Sequence, residues 1–198
     1  MKSICVYCGS SSGKSEVYLD SARTLAAEMV SQSIGLVYGG GRIGLMGAIA
    51  DEVLRLGGQA IGVIPEALMK REVGHLGLTQ LHVVKDMHER KAMMAELSDG
   101  FIAMPGGIGT MEELFEVTTW SQLGLHDKPV GVLNVAGYYD QLLAFMRHMV
   151  QAGFLKAEHA ALMLDAADPA GLIVKMRAQV RISTSKWLDQ ETAQKILP

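Results

Sequence analysis

The chain has 198 residues, 49% hydrophobic and 20% charged, with 18 basic against 21 acidic side chains and a formal net charge of −3. That length suits one domain with a full core of its own, and the mild acidic balance argues against nucleic acid, whose phosphates select a clustered basic surface. No apolar run approaches the roughly 18–20 residues that span a bilayer, and no sustained apolar stretch follows Lys2 to make a signal peptide, so the expectation is a cytoplasmic protein without membrane contact.

Residue spacing alternates between strand and helix along the chain. Ser3–Cys8 reads as a strand, followed by the turn Gly9–Lys14 and a helix over Ser15–Ser33 with an apolar stripe from Val17 to Val30. Gly35–Gly39 is a second strand and Gly44–Leu56 a helix that stops at Gly57-Gly58. Gln59–Ile64 is a third strand, closed by Pro65. Leu81–Val84 reads as a fourth strand and His88–Ser98 as a helix. Gly100–Met104 is the fifth strand and Thr110–Leu123 its helix, and Pro129–Val135 is the sixth strand. Tyr138–Ala152 is helical, Ala161–Leu164 a short last strand, and Pro169–Val180 a final helix.

Nearly all-apolar strands alternating with helices predict an α/β fold: a single-domain, Rossmann-like, doubly wound parallel sheet flanked by helices. The domain spans residues 1–180, and Arg181–Pro198 forms a C-terminal tail. Ligands of such sheets bind beyond the carboxyl ends of the strands, near the switch in strand order. The two cysteines, Cys5 and Cys8, are three apart on the first strand and point to opposite faces. They lack the helix N-terminus that a reactive pair needs, so they read as buried thiols.

Glycine is in excess, at 22 residues or about 11% against a usual ~7%. Ten of the 22 fall in three segments that follow strands: Gly9 and Gly13; Gly39, Gly40, Gly41, Gly44 and Gly47; and Gly106, Gly107 and Gly109. The first, Gly9-Ser10-Ser11-Ser12-Gly13, offers hydroxyls and backbone amides at a strand-to-helix turn, where an anion is held or where a plain polar turn lies. The second, Gly39 to Gly47, satisfies G-x-G-x-x-G but differs from the dinucleotide fingerprint in spacing, and its next strand ends in Ile64-Pro65-Glu66, where Glu66 is the one acidic residue placed to meet a ligand hydroxyl. One phosphate cradle for a mononucleotide fits it better.

The third segment runs Met104-Pro105-Gly106-Gly107-Ile108-Gly109-Thr110-Met111-Glu112-Glu113. Thr110 is placed as an N-cap or first-turn residue, and Glu112 and Glu113 are expected in the first turn, where the helix dipole favours their charge. A capped helix alone explains Thr and Glu, but not three glycines packed beside them. Arg90 and Lys91 in Asp86-Met87-His88-Glu89-Arg90-Lys91 follow the fourth strand at the same edge, where a guanidinium can hold a phosphate or a base edge. The six histidines show no metal-ligand spacing, so no metal is expected.

Together these segments resemble the LONELY GUY family, the cytokinin riboside 5′-monophosphate phosphoribohydrolases. Its P-G-G-x-G-T-x-x-E signature is matched by Pro105 through Glu113, its G-G-G-x-x-G-L-M-G string by Gly39 through Gly47, and its H-x-R-K segment by His88 to Lys91. Trp120 to Gly124 and Gly137-Tyr138-Tyr139 also read like the family, and the likeness runs from about Ile4 to Ala166. The resemblance implies hydrolysis of the N-glycosidic bond of purine nucleoside 5′-monophosphates, AMP or N6-modified AMP, to free base and ribose 5-phosphate, with no cofactor. It implies Arg90 and Glu113 as catalytic residues. It places Ser10, Gly40, Gly41, Gly44, Met46, Glu66, Lys91, Gly106, Gly107, Gly109, Thr110, Glu112, Thr118 and Thr119 around the substrate. It also implies a homodimer with the site near the interface.

The family carries a lysine decarboxylase label, which the residues oppose: no constellation for a Schiff-base lysine with pyridoxal phosphate is visible. A nucleotide carrier of the same fold is the alternative, because fold does not establish function. An NAD-dependent dehydrogenase would need the acidic ribose contact of a dinucleotide fold.

Overall fold

Strand β1 (Ser3–Tyr7) alternates between two cores: Ile4, Val6 and the following Cys8 enter one, Cys5 and Tyr7 the other. This computed structural model describes residues 1–69 and 74–179. The elements after β1 are α1 (Glu16–Ser31), β2 (Gly35–Tyr38), α2 (Gly44–Arg55), β3 (Ala60–Pro65), α3 (Glu66–Met69), β4 (Gln80–Val84) and α4 (Met87–Glu96). They continue with β5 (Phe101–Ala103), α5 (Ile108–Gln122), β6 (Val130–Leu133), a 3-10 turn at Val135–Gly137, α6 (Asp140–Gln151), α7 (Ala157–Ala160), β7 (Met163–Ala166) and α8 (Pro169–Ala178).

The seven strands form one parallel sheet in the order β4-β3-β2-β1-β5-β6-β7. The chain builds outward from β1 in one direction, then returns to place β5 on its other side. Helices α1, α2 and α8 cover one face through Leu25, Met29, Ile49, Val53, Leu172 and Met176. Helices α4, α5 and α6 cover the other through Met94, Leu114, Val117 and Met146. Each large apolar side chain buried in this way contributes about 1.5–3 kcal/mol. Because α1 and α5 leave neighbouring strands toward opposite faces, a crevice opens between the β1 and β5 ends, the switch point of the sheet. Both cysteines are buried free thiols on opposite faces, as their spacing requires.

Several boundaries differ from the sequence reading, three of them by more than a trimmed end and for local reasons. Helix α5 starts at Ile108, with Gly107 at its N-cap, so Glu112 and Glu113 lie in the second turn and no acidic residue lies in the first. Helix α6 starts at Asp140 and not at Tyr138. Ala136 and Gly137 adopt positive φ of 50° and 73°, and the Asn134 side chain closes the turn onto Tyr139 and Asp140. The last strand is Met163–Ala166, displaced because α7 takes up Ala157–Ala160 and Leu162 donates back to His159. The final helix is described to Ala178. Val180, where it was expected to end, and the tail Arg181–Pro198 lie outside the described residues. No helix among the described residues is long and apolar enough to cross a membrane.

Candidate active site

Two adjoining cavities fill the crevice. The larger, about 380 Å³, is bordered by Cys8, Gly9, Ser10, Met46, Leu68, Met87, Arg90, Glu112, Glu113 and the Gly107–Thr110 start of α5. The smaller, about 280 Å³, is bordered by Gly9–Gly13, Tyr18, Leu45, Pro105–Gly107 and Tyr138. Gly9, Ser10 and Gly107 belong to both walls.

Helix α4 delivers Arg90. Asp86 caps that helix, accepting the His88 and Glu89 N–H groups at 2.9 and 3.0 Å, so Arg90 enters from its first turn. Its guanidinium is buried, with Nη2 donating to Gly39 O at 3.3 Å. A side chain on Gly39 would collide with that guanidinium. Arg90 Nη2 stands 4.0 Å from Glu113 Oε1, and both side chains are close to nine-tenths covered. Arg90 Nε is buried without a hydrogen-bond partner. Such a donor is costly to leave unpaired.

Lys91, the next residue of α4, also faces α5. Its Nζ donates to Glu112 Oε1 at 2.6 Å and Glu116 Oε1 at 3.0 Å, carboxylates one turn apart on α5. Burial of the ammonium works against its charge, but the two carboxylates outweigh it and hold the pKa above the ordinary lysine value. The residue therefore ties α4 to α5 beside Arg90 and Glu113. Cys8 is pushed the opposite way: burial, then the charge of Glu113, raises its thiol far above the usual range, so it forms a neutral wall.

The start of α5 has no side-chain cap. Its first four N–H groups have no intrahelical acceptor, and a Cβ built on Gly107 or Gly109 would meet nothing within 4 Å. Gly106 is different, resting against the Thr110 side chain. Glycine amides and a helix dipole at an open cavity favour an anion.

The crevice thus brings together Ser10, Met46, Arg90, Gly106, Gly107, Gly109, Thr110, Glu112 and Glu113 from the sequence reading. Gly40, Gly41 and Gly44 lie behind the wall and border neither cavity. Gly44 crowds the Ser10 backbone, and the α2 amides of Leu45 and Met46 donate to Gly9 O. Glu66 is exposed on α3, and Leu68 of that helix borders the cavity instead. Thr118 and Thr119 lie further along α5, donating to Leu114 O and Phe115 O of their own helix. Sequence reasoning did not single out Leu68, Met87, Ile108, Tyr18 or Leu45. Met87 and Ile108 sit inside the quoted motifs, whereas Leu68 carried no signal of its own.

A family model described as "Possible lysine decarboxylase" matches residues 46–176. The chain is 53% identical over 178 residues to a probable cytokinin riboside 5′-monophosphate phosphoribohydrolase of Oryza sativa subsp. japonica, covering 90% of this chain and 80% of that one. It is 49% identical over 191 residues to a cytokinin riboside 5′-monophosphate phosphoribohydrolase of Arabidopsis thaliana, covering 94% and 84%. Among solved structures, the molybdenum cofactor carrier protein of Chlamydomonas reinhardtii superposes with a TM-score of 0.64 at 22% identity, covering 89% of this chain and 96% of that one. The molybdenum cofactor binding protein of Rippkaea orientalis does so with a TM-score of 0.67 at 20% identity, covering 90% and 97%. At those identities the structural likeness establishes the fold alone.

Proposed function

The chain belongs to the LONELY GUY family of phosphoribohydrolases, and from that premise we propose that it hydrolyses the N-glycosidic bond of a purine nucleoside 5′-monophosphate. Water adds to the ribosyl carbon and gives up a proton, the bonding electron pair leaves with the purine, which takes up a proton, and the products are free base and ribose 5-phosphate. The observation that carries this reading is the Arg90–Glu113 pair, 4.0 Å apart and nearly buried, on a cavity that also holds the uncapped start of α5.

Positive charge develops on the ribosyl carbon as the bond breaks. The Glu113 carboxylate, held in a low-dielectric wall, stabilises that charge or takes a proton from the attacking water. Arg90 borders the same cavity and supplies positive charge to the phosphate or to the departing base. The amides of Gly107 to Thr110 receive the phosphate, and binding energy gained there lowers the barrier at the distant bond. Ser10 and Met46 complete the substrate wall. Lys91 contributes through Glu112 and Glu116 by fixing α5 against α4.

A carrier of the same fold would need the cradle but not a carboxylate beside it, and the pair favours the enzyme. The decarboxylase description finds no support in Lys91, whose ammonium is held by two carboxylates. A second copy of the chain is the expected partner. The two unpaired thiols fit a reducing, cytoplasmic setting. Incubation of the purified protein with AMP and with N6-isopentenyl-AMP, followed by chromatography, tests the proposal. Base and ribose 5-phosphate are expected in equal amounts; recovery of intact nucleotide from both contradicts it.

A further inference from the structure

Both tyrosines of Gly137-Tyr138-Tyr139 end on the loop that precedes α5, although neither takes part in the chemistry above. Three successive carbonyls of that loop have dedicated donors. Tyr139 Oη donates to Met104 O at 2.6 Å, the Gly9 N–H to Pro105 O at 3.1 Å, and Tyr138 Oη to Gly106 O at 2.5 Å. Tyr139 is buried, whereas Tyr138 is 44% exposed at the rim of the smaller cavity. A turn with positive φ at Ala136, a conformation unfavourable for a residue with a Cβ, brings them there. Strain of that kind persists only where the surrounding contacts hold it.

We propose that Tyr138 is a positioning residue: its hydroxyl fixes the sense of the Gly106–Gly107 peptide and thereby sets the affinity of the α5 cradle for a phosphate group. In a trans peptide the C=O and N–H point to opposite sides, and the described residues contain no cis bond. A Gly106 carbonyl held by Tyr138 therefore directs the Gly107 N–H away from Tyr138. With the peptide reversed, a partially negative carbonyl oxygen would stand where the amide stood and repel an anion. A peptide between two glycines has no Cβ to oppose that rotation, so a donor outside the loop must hold it. Arg90, 6% exposed, lines the same cavity as the Gly107–Thr110 start of α5.

The inference rests on the nucleotide reading of the site, but its test does not require turnover. Affinity for inorganic phosphate and for adenosine is measured by calorimetry on the unaltered protein and on Tyr138→Phe. Loss of one hydrogen bond should weaken phosphate binding roughly 3- to 10-fold and leave adenosine binding in place. A general loosening of the loop would weaken both. Equal weakening of both ligands, an unchanged phosphate affinity in Tyr138→Phe, or no phosphate binding by the unaltered protein overturns the assignment. Failure of the unaltered protein to release base from AMP, with phosphate binding still sensitive to Tyr138, would overturn the hydrolytic reading alone. Where turnover is measurable, KM for AMP should rise with little change in kcat.

Discussion

Helices α1 and α5 follow the adjacent strands β1 and β5 and open at the same crevice, yet their first turns are built differently. In α1 the Ser15 side chain accepts the Val17 N–H, and Glu16 stands in the first turn. In α5 the N-cap is Gly107, with no side-chain cap and no first-turn acid. A helix that satisfies and neutralises its own N-terminus has little left for an anionic ligand, whereas one that leaves its amides open keeps both donors and dipole available. Helix α2 is a third case, its Leu45 and Met46 amides already taken by Gly9 O. A glycine-rich string after a strand therefore has two uses here. Around Gly39 to Gly47, and again at Gly106, it lets chain segments approach one another, whereas Gly107 and Gly109 leave the start of α5 uncapped and uncrowded.

The sharpest way to break this contrast is at the carboxylate that the open cradle serves. Glu113→Gln keeps size and removes charge. Turnover of AMP should fall by about 10²–10³-fold, the scale of a lost electrostatic partner of the transition state, while nucleotide affinity changes much less. Steady-state base release and equilibrium binding on the same variant check both parts. Near-normal turnover would remove Glu113 from the mechanism.

A smaller effect is expected from making α5 resemble α1. Gly107 has negative φ and open space around its Cβ position, so Gly107→Asp can cap the helix in place. Nucleotide affinity should drop at least about tenfold through like-charge repulsion and blocked amides, with thermal stability unchanged or raised. The converse change, Ser15→Ala, should lower stability by about 0.5–2 kcal/mol in chemical unfolding and leave nucleotide affinity unmoved.

The smallest effect concerns the helix that carries Arg90. The Glu89 N–H, then the His88 N–H, hold the Asp86 carboxyl below its ordinary pKa. A depressed carboxyl contributes stability above its unfolded value of about 3.9 and loses it as pH falls through the folded value. Asp86→Ala should therefore flatten the acid limb of the Tm against pH profile below about pH 4, leaving the slope near neutrality unaffected.

The parallel sheet was legible because its strands are apolar on both faces and its helices keep a 3.6-residue period. Boundaries escaped where one local bond decides them. Gly107, with no side chain to read, takes the N-cap of α5 and moves Glu113 into the second turn. Exposed Asp165 hides the pairing of β7 with β6. Glu113 was legible because a carboxylate beside three glycines is unusual, and Arg90 because it follows the fourth strand at the same sheet edge. Leu68 was not, because an ordinary leucine becomes part of a site only through the placement of α3. Thr118 and Thr119 spend their hydroxyl protons on carbonyls of their own helix, a use that composition does not distinguish from ligand binding.

The central claim is that the open start of α5 holds a phosphate and that this grip serves bond cleavage elsewhere in the substrate. The ratio of kcat/KM for AMP to that for adenosine, measured by base release with the unaltered protein, tests it most directly. A ratio of at least about 10² is expected, because the binding energy of a remote phosphate is expressed in the transition state. Equal efficiency on the two substrates would contradict it.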